Sequence, residues 1–409
     1  MSMPLIEAKT ARPQPMRSRV DRERLFGLLD TGLGTPVTLV CAGAGWGKTV
    51  LVSAWAQTQT RPVAWLSLDR HDNDPQIFWA YVIAALRVAG AVPAGNPLAE
   101  LGSVPPGERE RARRLADGLG RLPYPSVLIV DDFQEITDGQ VLHEIDDLLR
   151  HPPAGLRLVL ISRSRPALNL HRLRAAGQVT EIRSADLAFT AEEAAALIDG
   201  HGPRPAPEDL AALLERTEGW AVGLNLGAGF LAAPDGGRRL ADFAGDLRGV
   251  EEYLISEVLE GRSRRQRRFL LQTSICERLC AGLASAITAQ PDSQRTLESL
   301  ENDNDFVVRL GERPLWFRYH HLLREALGHN LIRETPAAVA ELHRRAARWY
   351  AANNEVMEAL SHAIAARDWA YVGRLVTGKA APLILSAHRR SLVRVLQQVP
   401  ADELTAPRN

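Results

Sequence analysis

The pattern of apolar and polar positions changes character partway along the chain. Up to about residue 187, short apolar runs alternate with segments of helical periodicity. The runs are VTLVC (37–41), VAWLS (63–67), VLIVD (127–131), RLVLIS (157–162) and VTEIR (179–183). Their Val, Ile and Leu content suits strands covered on both faces. Strands alternating with helices predict an α/β domain with a parallel five-stranded sheet. The clearest helix starts at DPQIFWAYVIAALRVAG, with Asp74 as N-cap, Pro75 in the first turn and Gly90 past the end.

Beyond residue 188 the strand signal fades and helical patterns take over. FTAEEAAALI opens with Thr190 and Glu193 at capping-box spacing, and Ser263 and Gln266 repeat that spacing before FLLQTSIC. APDGGRR (233–239) has the composition of a loop between domains. DFVVRLGERPLWFRYHHLLREAL reads as strand, turn, strand and helix, the order of a winged-helix wing. A helix pair follows, with Leu342, Ala346, Trp349 and Tyr350 on one face and Asn353–Asn354 at the turn. Such units stack, and about three are needed for a stable array. Only about two fit before Asn409, so the array is expected to be cut short there. The expected partition is a flexible leader (1–19), an α/β domain (20–187), a helical domain (188–240), a winged-helix domain (241–333) and the start of an α-helical repeat array (334–409).

The nucleotide reading comes from the loop after the first run, AGAGWGKTV, residues Ala42, Gly43, Ala44, Gly45, Trp46, Gly47, Lys48, Thr49 and Val50. A strand, a glycine-rich loop and a helix N-terminus direct backbone N–H groups at phosphates. Lys48 is placed to reach the β- and γ-phosphates, and Thr49 to put its hydroxyl on Mg²⁺. Ala42 stands where the strict motif has glycine. LIVDDF adds two carboxylates at a strand end: Asp131 as a Mg²⁺ ligand and Asp132 as the residue that orients the attacking water. Arg163, at the end of the next run, is a candidate sensor of the γ-phosphate. The expected cofactors are therefore ATP or ADP with Mg²⁺.

Composition narrows the partners. Lys plus Arg equals Asp plus Glu at 49 each, so no global field draws the chain to DNA or to an anionic membrane. No run of about 18 apolar residues occurs, so no membrane span is expected. The start lacks the apolar core of a signal peptide, and three cysteines make no disulfide framework; both point to the reducing cytoplasm. Cys276 and Cys280, read as i, i+4 on a helix, are expected to be core residues, since a zinc site needs four ligands. RSRRQRR (262–268) reads as the solvated start of a helix. The acids of DRHDND (69–74) read as turn and helix caps.

WLSLDRHDNDPQIFWAYVIAALR, LIVDDFQEI, LVLISRSRP, LAFTAEEAAALI, TEGWAVGLNL and FRYHHLLREAL occur in this order. In these segments the chain resembles the MalT-like large ATP-binding regulators of the LuxR family, STAND-class signal-transduction ATPases, from about Val20 to Pro400. The resemblance implies a switch held closed by ADP, which an inducer plus ATP opens for self-association. It places DNA binding in a C-terminal helix-turn-helix domain absent from these 409 residues. It further implies that Val20 and Arg22, in VDRE, line the adenine; that Gly219 and Trp220 form a turn closing over the nucleotide; and that His320, or its neighbour His321, touches the ADP β-phosphate. Two other classes remain open: an AAA+-like ATPase motor, which needs a ring and a trans arginine finger, and a P-loop phosphotransferase, which needs a lid and an acceptor pocket.

Overall fold

The computed structural model describes residues 6–14, 20–99, 108–122, 126–200, 206–231, 248–259, 262–303, 306–310 and 315–379. The loop at 233–239, the turn of the wing at 311–314 and everything past 379 lie outside the described residues. The chain divides into two compact units, Met1–Leu247 with Asn302–Asp305, and Arg248–Glu301 with Phe306–Asn409.

The first unit is built on five parallel strands: β1 (Val37–Cys41), β2 (Val63–Ser67), β3 (Ser126–Asp131), β4 (Leu156–Ser162) and β5 (Val179–Arg183), in the order β2-β3-β4-β1-β5. All five coincide with the apolar runs within a residue. Every residue of β3 is buried, as expected for a strand with helices on both faces. Along β4 the side chains alternate between two cores. Leu158 and Leu160 join Phe78, Val82, Leu119 and Ile145 on one face, and neighbouring Val159 and Ile161 are equally buried. Strand β4 lies between β1 and β3, paired with both in register. The strand that leads into the glycine loop and the strand that runs into the acidic pair are therefore separated by the one that ends just before Arg163.

The helix Pro75–Val88 starts as read, with Asp74 accepting from the N–H groups of Gln76 and Ile77, and Gly90 follows at φ +70°. The leader needs correction over residues 6–14. Lys9 Nζ lies 2.7 Å from Asp72, which is fully buried. Ser53 Oγ donates to the Pro13 carbonyl at 2.7 Å, and the Ile6 N–H to the Tyr81 hydroxyl at 3.2 Å. The segment supplies the cation for a carboxylate that otherwise has, among the described residues, only the Asp69 N–H, at 2.8 Å, as a hydrogen-bond donor. Within DRHDND, Asp69 and Asp74 do act as caps.

The helices Ala191–Asp199, Pro207–Thr217 and Ala221–Leu231 complete the described part of the first unit. The predicted Thr190–Glu193 capping box is present.

In the second unit, helices Arg248–Leu259, Arg264–Thr273, Ala281–Thr288 and Ser293–Asp303 precede an antiparallel hairpin of β6 (Val307–Leu310) and β7 (Trp316–Tyr319). Helix His321–Glu334 follows, then the helices Pro336–Ala352, Val356–Ala365 and Trp369–Lys379. The Ser263–Gln266 capping box forms. The arginines behind it are partly spent on ion pairs, Arg265 with Asp292 and Arg267 with Glu334. Leu342, Ala346 and Tyr350 are buried on one face, and Trp349 meets Trp316 edge-on at 6.3 Å. Cys276 and Cys280 do not share a helix. Cys276 lies in the turn after Thr273, and Cys280 precedes the helix at Ala281. No described helix is long and apolar enough to cross a membrane.

Candidate nucleotide site

The C-terminal ends of β1, β3 and β4 bring together the residues that the loop motif and the acidic strand end singled out. Crevices beyond the carboxyl ends of parallel strands are where such sheets bind ligands. Ala42 is fully buried, and its N–H donates to the Ser162 carbonyl at 3.2 Å, which anchors the loop to β4. A β-carbon is tolerated there, so the departure from the glycine pattern costs nothing visible. Gly45 and Gly47 both adopt left-handed backbone, at φ +76° and +78°, a conformation that favours glycine. Helix Lys48–Thr58 begins directly after them.

Lys48 folds back over the loop and donates to the Gly43 carbonyl at 2.7 Å. Thr49 Oγ1 donates to both oxygens of Asp131, at 3.0 and 3.2 Å, across the gap between the helix and β3. The backbone N–H of Asp132 also donates to Asp131, at 3.0 Å. Burial, and then the charge of Asp132, push the Asp131 carboxyl up to about 6 against these hydrogen bonds and Lys48. A hydroxyl and a carboxylate at this distance form the kind of hard-oxygen donor pair that Mg²⁺ prefers.

Asp132 itself turns outward in left-handed backbone at φ 54°. Non-glycine residues in this conformation carry strain that surrounding structure must hold. Gln134 does so: its Nε2 donates to Asp132 Oδ1 at 2.8 Å, and its Oε1 accepts from the Arg163 N–H at 2.9 Å. Arg163 Nε lies 3.8 Å from Asp132 Oδ1. Both side chains are nearly half exposed, so this ion pair contributes little by itself.

Beside the loop is a cavity of about 300 Å³ whose lining is largely apolar, including Val20, Phe26, Gly47, Val50, Phe189 and Leu197. Arg22 and Asn225 are its polar side chains. The Arg22 guanidinium lies 4.1 Å over the Phe189 ring. It donates to the carbonyls of Leu187 and Ala188 at 2.8 and 3.0 Å, and to Glu193 at 3.0 Å. Arg22 thus frames the cavity and fixes Phe189 within it. Burial alone would raise the Glu193 carboxyl, but hydrogen bonds from Arg24 and Arg22 hold it below its ordinary value. The motif reading did not find Phe26, Phe189, Val222 or Asn225. The signal for Phe189 was the capping box beside it, whose Glu193 caps the helix and binds both arginines.

Gly219 and Trp220 meet the loop from outside. Gly219 is at φ +74°, and a β-carbon there would lie 2.7 Å from the Phe189 nitrogen, so only glycine fits. Trp220, fully buried, donates its indole N–H to the Ala44 carbonyl at 3.0 Å. The Val222 N–H donates to the Gly45 carbonyl at 3.1 Å.

His320 belongs to the second unit, where it is buried, meets Phe306 edge-on at 5.6 Å and donates its backbone N–H to the Phe306 carbonyl. His321, one residue on, is exposed.

Residues 255–339 match the MalT winged helix domain family. The serine/threonine-protein kinase PknK of Mycobacterium tuberculosis is 33% identical over 394 residues, covering 94% of this chain and 35% of the kinase. The HTH-type transcriptional regulator MalT of Cronobacter sakazakii is 31% identical over 416 residues, covering 98% of this chain and 45% of the regulator. The chain thus spans between about a third and a half of the length of these relatives. A Walker-type ATPase of Pyrococcus abyssi shares the fold at a TM-score of 0.55 and 17% identity, over 77% of this chain and 98% of that one. With a MalT winged helix domain match at residues 255–339, a five-stranded parallel P-loop sheet and similarity to MalT over 98% of its length, this chain is MalT-like with a P-loop fold.

Proposed function

We propose that the chain is the nucleotide-gated switch of a STAND-class, LuxR-type transcription regulator. The adenine of ATP or ADP occupies the apolar cavity beside Val20, Phe26 and Phe189, and the phosphates lie on the backbone N–H groups of residues 43–49. Lys48 leaves the Gly43 carbonyl for the β- and γ-phosphates. Thr49 and Asp131 hold Mg²⁺, whose charge offsets that of the phosphates. Asp132 orients the attacking water, and Arg163 is placed to register the γ-phosphate. ADP favours a closed state that His320 helps to hold. Inducer and ATP favour an open state that self-associates, and DNA is contacted by another domain.

The observation that carries this reading is the Thr49–Asp131 contact at 3.0 Å beside a glycine loop that opens on an apolar cavity. The similarity to both a kinase and a transcription regulator supports a switch that serves different outputs, rather than a segment tied to one chemistry. Calorimetry of ADP and Mg²⁺–ATP with the wild type and Lys48→Ala tests it. The wild type is expected to bind both and the variant to lose most of the affinity. Equal binding by the two proteins refutes the site.

A further inference from the structure

We propose that the indole of Trp220 and the N–H of Val222 form a clamp on the carbonyl side of the phosphate loop, so that docking of the helical segment 207–231 sets the loop's affinity for polyphosphate. This rests on the nucleotide reading above and adds a means of regulating that site.

The argument starts from the peptide plane. In a trans peptide the C=O and the N–H point in opposite directions. The Ala44 carbonyl shares its plane with the Gly45 N–H, and the Gly45 carbonyl with the Trp46 N–H. Trp220 holds the first carbonyl at 3.0 Å and Val222 the second at 3.1 Å. Both N–H groups are thereby aimed away from the helical segment. Glycine at 45, the residue both planes share, leaves them free to rotate, and a flipped plane presents an oxygen to the phosphate instead of a donor. Two hydrogen bonds from outside the loop remove that freedom before the ligand arrives.

The fit is close. A β-carbon at Gly45 would lie 2.8 Å from the Trp220 ring and 2.9 Å from a Val222 methyl. Trp220 is in turn held by its own turn: Glu218 and Gly219 are both left-handed, the Phe189 N–H donates to the Gly219 carbonyl at 3.0 Å, and the Trp220 N–H to the Thr217 carbonyl at 2.8 Å. Trp220 is therefore a positioning residue. It acts through the Gly45 N–H, as Val222 acts through the Trp46 N–H. Coupling of this kind is reciprocal, so polyphosphate binding tightens the docking by the same factor.

The test compares three probes, ADP, inorganic pyrophosphate and adenosine, on the wild type, Trp220→Phe and Gly45→Ala. Trp220→Phe keeps an aromatic ring and removes one hydrogen bond. It is expected to weaken ADP and pyrophosphate about fivefold and to leave adenosine unchanged. Gly45→Ala strains the loop's own left-handed backbone as well as pressing on the indole, so it marks the largest loss the loop can show. If Trp220→Phe fails to fold, pyrophosphate is expected to raise the hydrogen-exchange protection of residues 220–231 in the wild type, and unchanged protection overturns the clamp. Unchanged ADP affinity in folded variants overturns the clamp. So does an equal loss of adenosine and ADP, which would make Trp220 part of the cavity wall. If the wild type takes up neither ADP nor pyrophosphate, the nucleotide reading itself fails, a result distinct from bound ADP that is indifferent to Trp220.

Discussion

Mild acid is expected to loosen the second unit through one pair of buried imidazoles. His362, in the helix Val356–Ala365, has Nδ1 2.8 Å from Nδ1 of His343 and Nε2 4.0 Å from Sγ of Cys276. Its ring stacks on Tyr350 at 5.4 Å. Burial first, and then His343, push His362 down to about 4 from 6.5, and burial also lowers His343. Two ring nitrogens at that distance share one proton; a second proton between them breaks the contact, and charging both rings places two cations side by side. Arg278, Glu358 and Arg324 line the same cavity, Arg278 pairing with Glu355 and Glu358. Between about pH 4 and 6.5 the folded unit binds fewer protons at His362 than the unfolded chain does. The contribution of the neutral pair is complete above about 6.5 and is lost as pH falls toward 4. At about 1.36 kcal/mol per unit, a window of about 2.5 units amounts to about 3 kcal/mol, of which about 2 kcal/mol is gone by pH 5. Hydrogen exchange of peptides covering 264–273 and 356–365, corrected for intrinsic rates, reads this unit alone. The wild type is expected to lose about 2 kcal/mol of protection between pH 7 and 5, and His362→Phe most of that loss. An equal drop in the variant, or none in the wild type, refutes the reasoning.

Gly219→Ala combines a left-handed backbone with a 2.7 Å clash. It is expected to cost the first unit about 2 kcal/mol, and an unchanged melting temperature would contradict that. Hydrolysis by the wild type is expected to be slow, well below about 1 per second, and Asp132→Asn to reduce it at least tenfold with ADP binding retained; full turnover in the variant removes Asp132 from the role. His320→Ala is expected to weaken ADP more than ATP and also to lower stability, since the side chain is buried against Phe306. An unchanged affinity ratio in both His320→Ala and His321→Ala ends that role for either residue.

Much of the first unit was legible because its signals are local. Each strand is an uninterrupted apolar run, and Asp74 and Thr190 mark helix starts within four residues, as Ser263 does in the second unit. The glycine loop and the Asp131–Asp132 pair could be read in the same way, since strand ends place them without reference to anything distant. What escaped depends on partners far apart in the chain. The order β3-β4-β1 follows from how crossovers pack, and no periodicity encodes it. Lys9 finds Asp72 63 residues away, and a helix of four residues, Glu7–Thr10, has no period to detect. The cavity escaped for the same reason: Phe26, Phe189 and Asn225 lie on three separate elements, and each is unremarkable in its own stretch. Cys276 and Cys280 were misplaced because helical spacing was extended through a turn with no glycine or proline to mark it.

The docking of Lys9 on Asp72 has a practical side. Anyone trimming this protein to its recognisable nucleotide-binding portion would naturally begin near Val20, where the resemblance starts. That cut discards the cation and part of the cover and keeps the anion, leaving Asp72 with the Asp69 N–H and without its countercharge. A pair broken while its partner stays buried costs about 3–5 kcal/mol; water admitted by the cut lowers that, and the packing of residues 6–14 is lost as well. The shortened protein would then misbehave in ways easily blamed on the nucleotide site, and restoring the first residues, or replacing Asp72 with Asn, is the remedy the geometry prescribes.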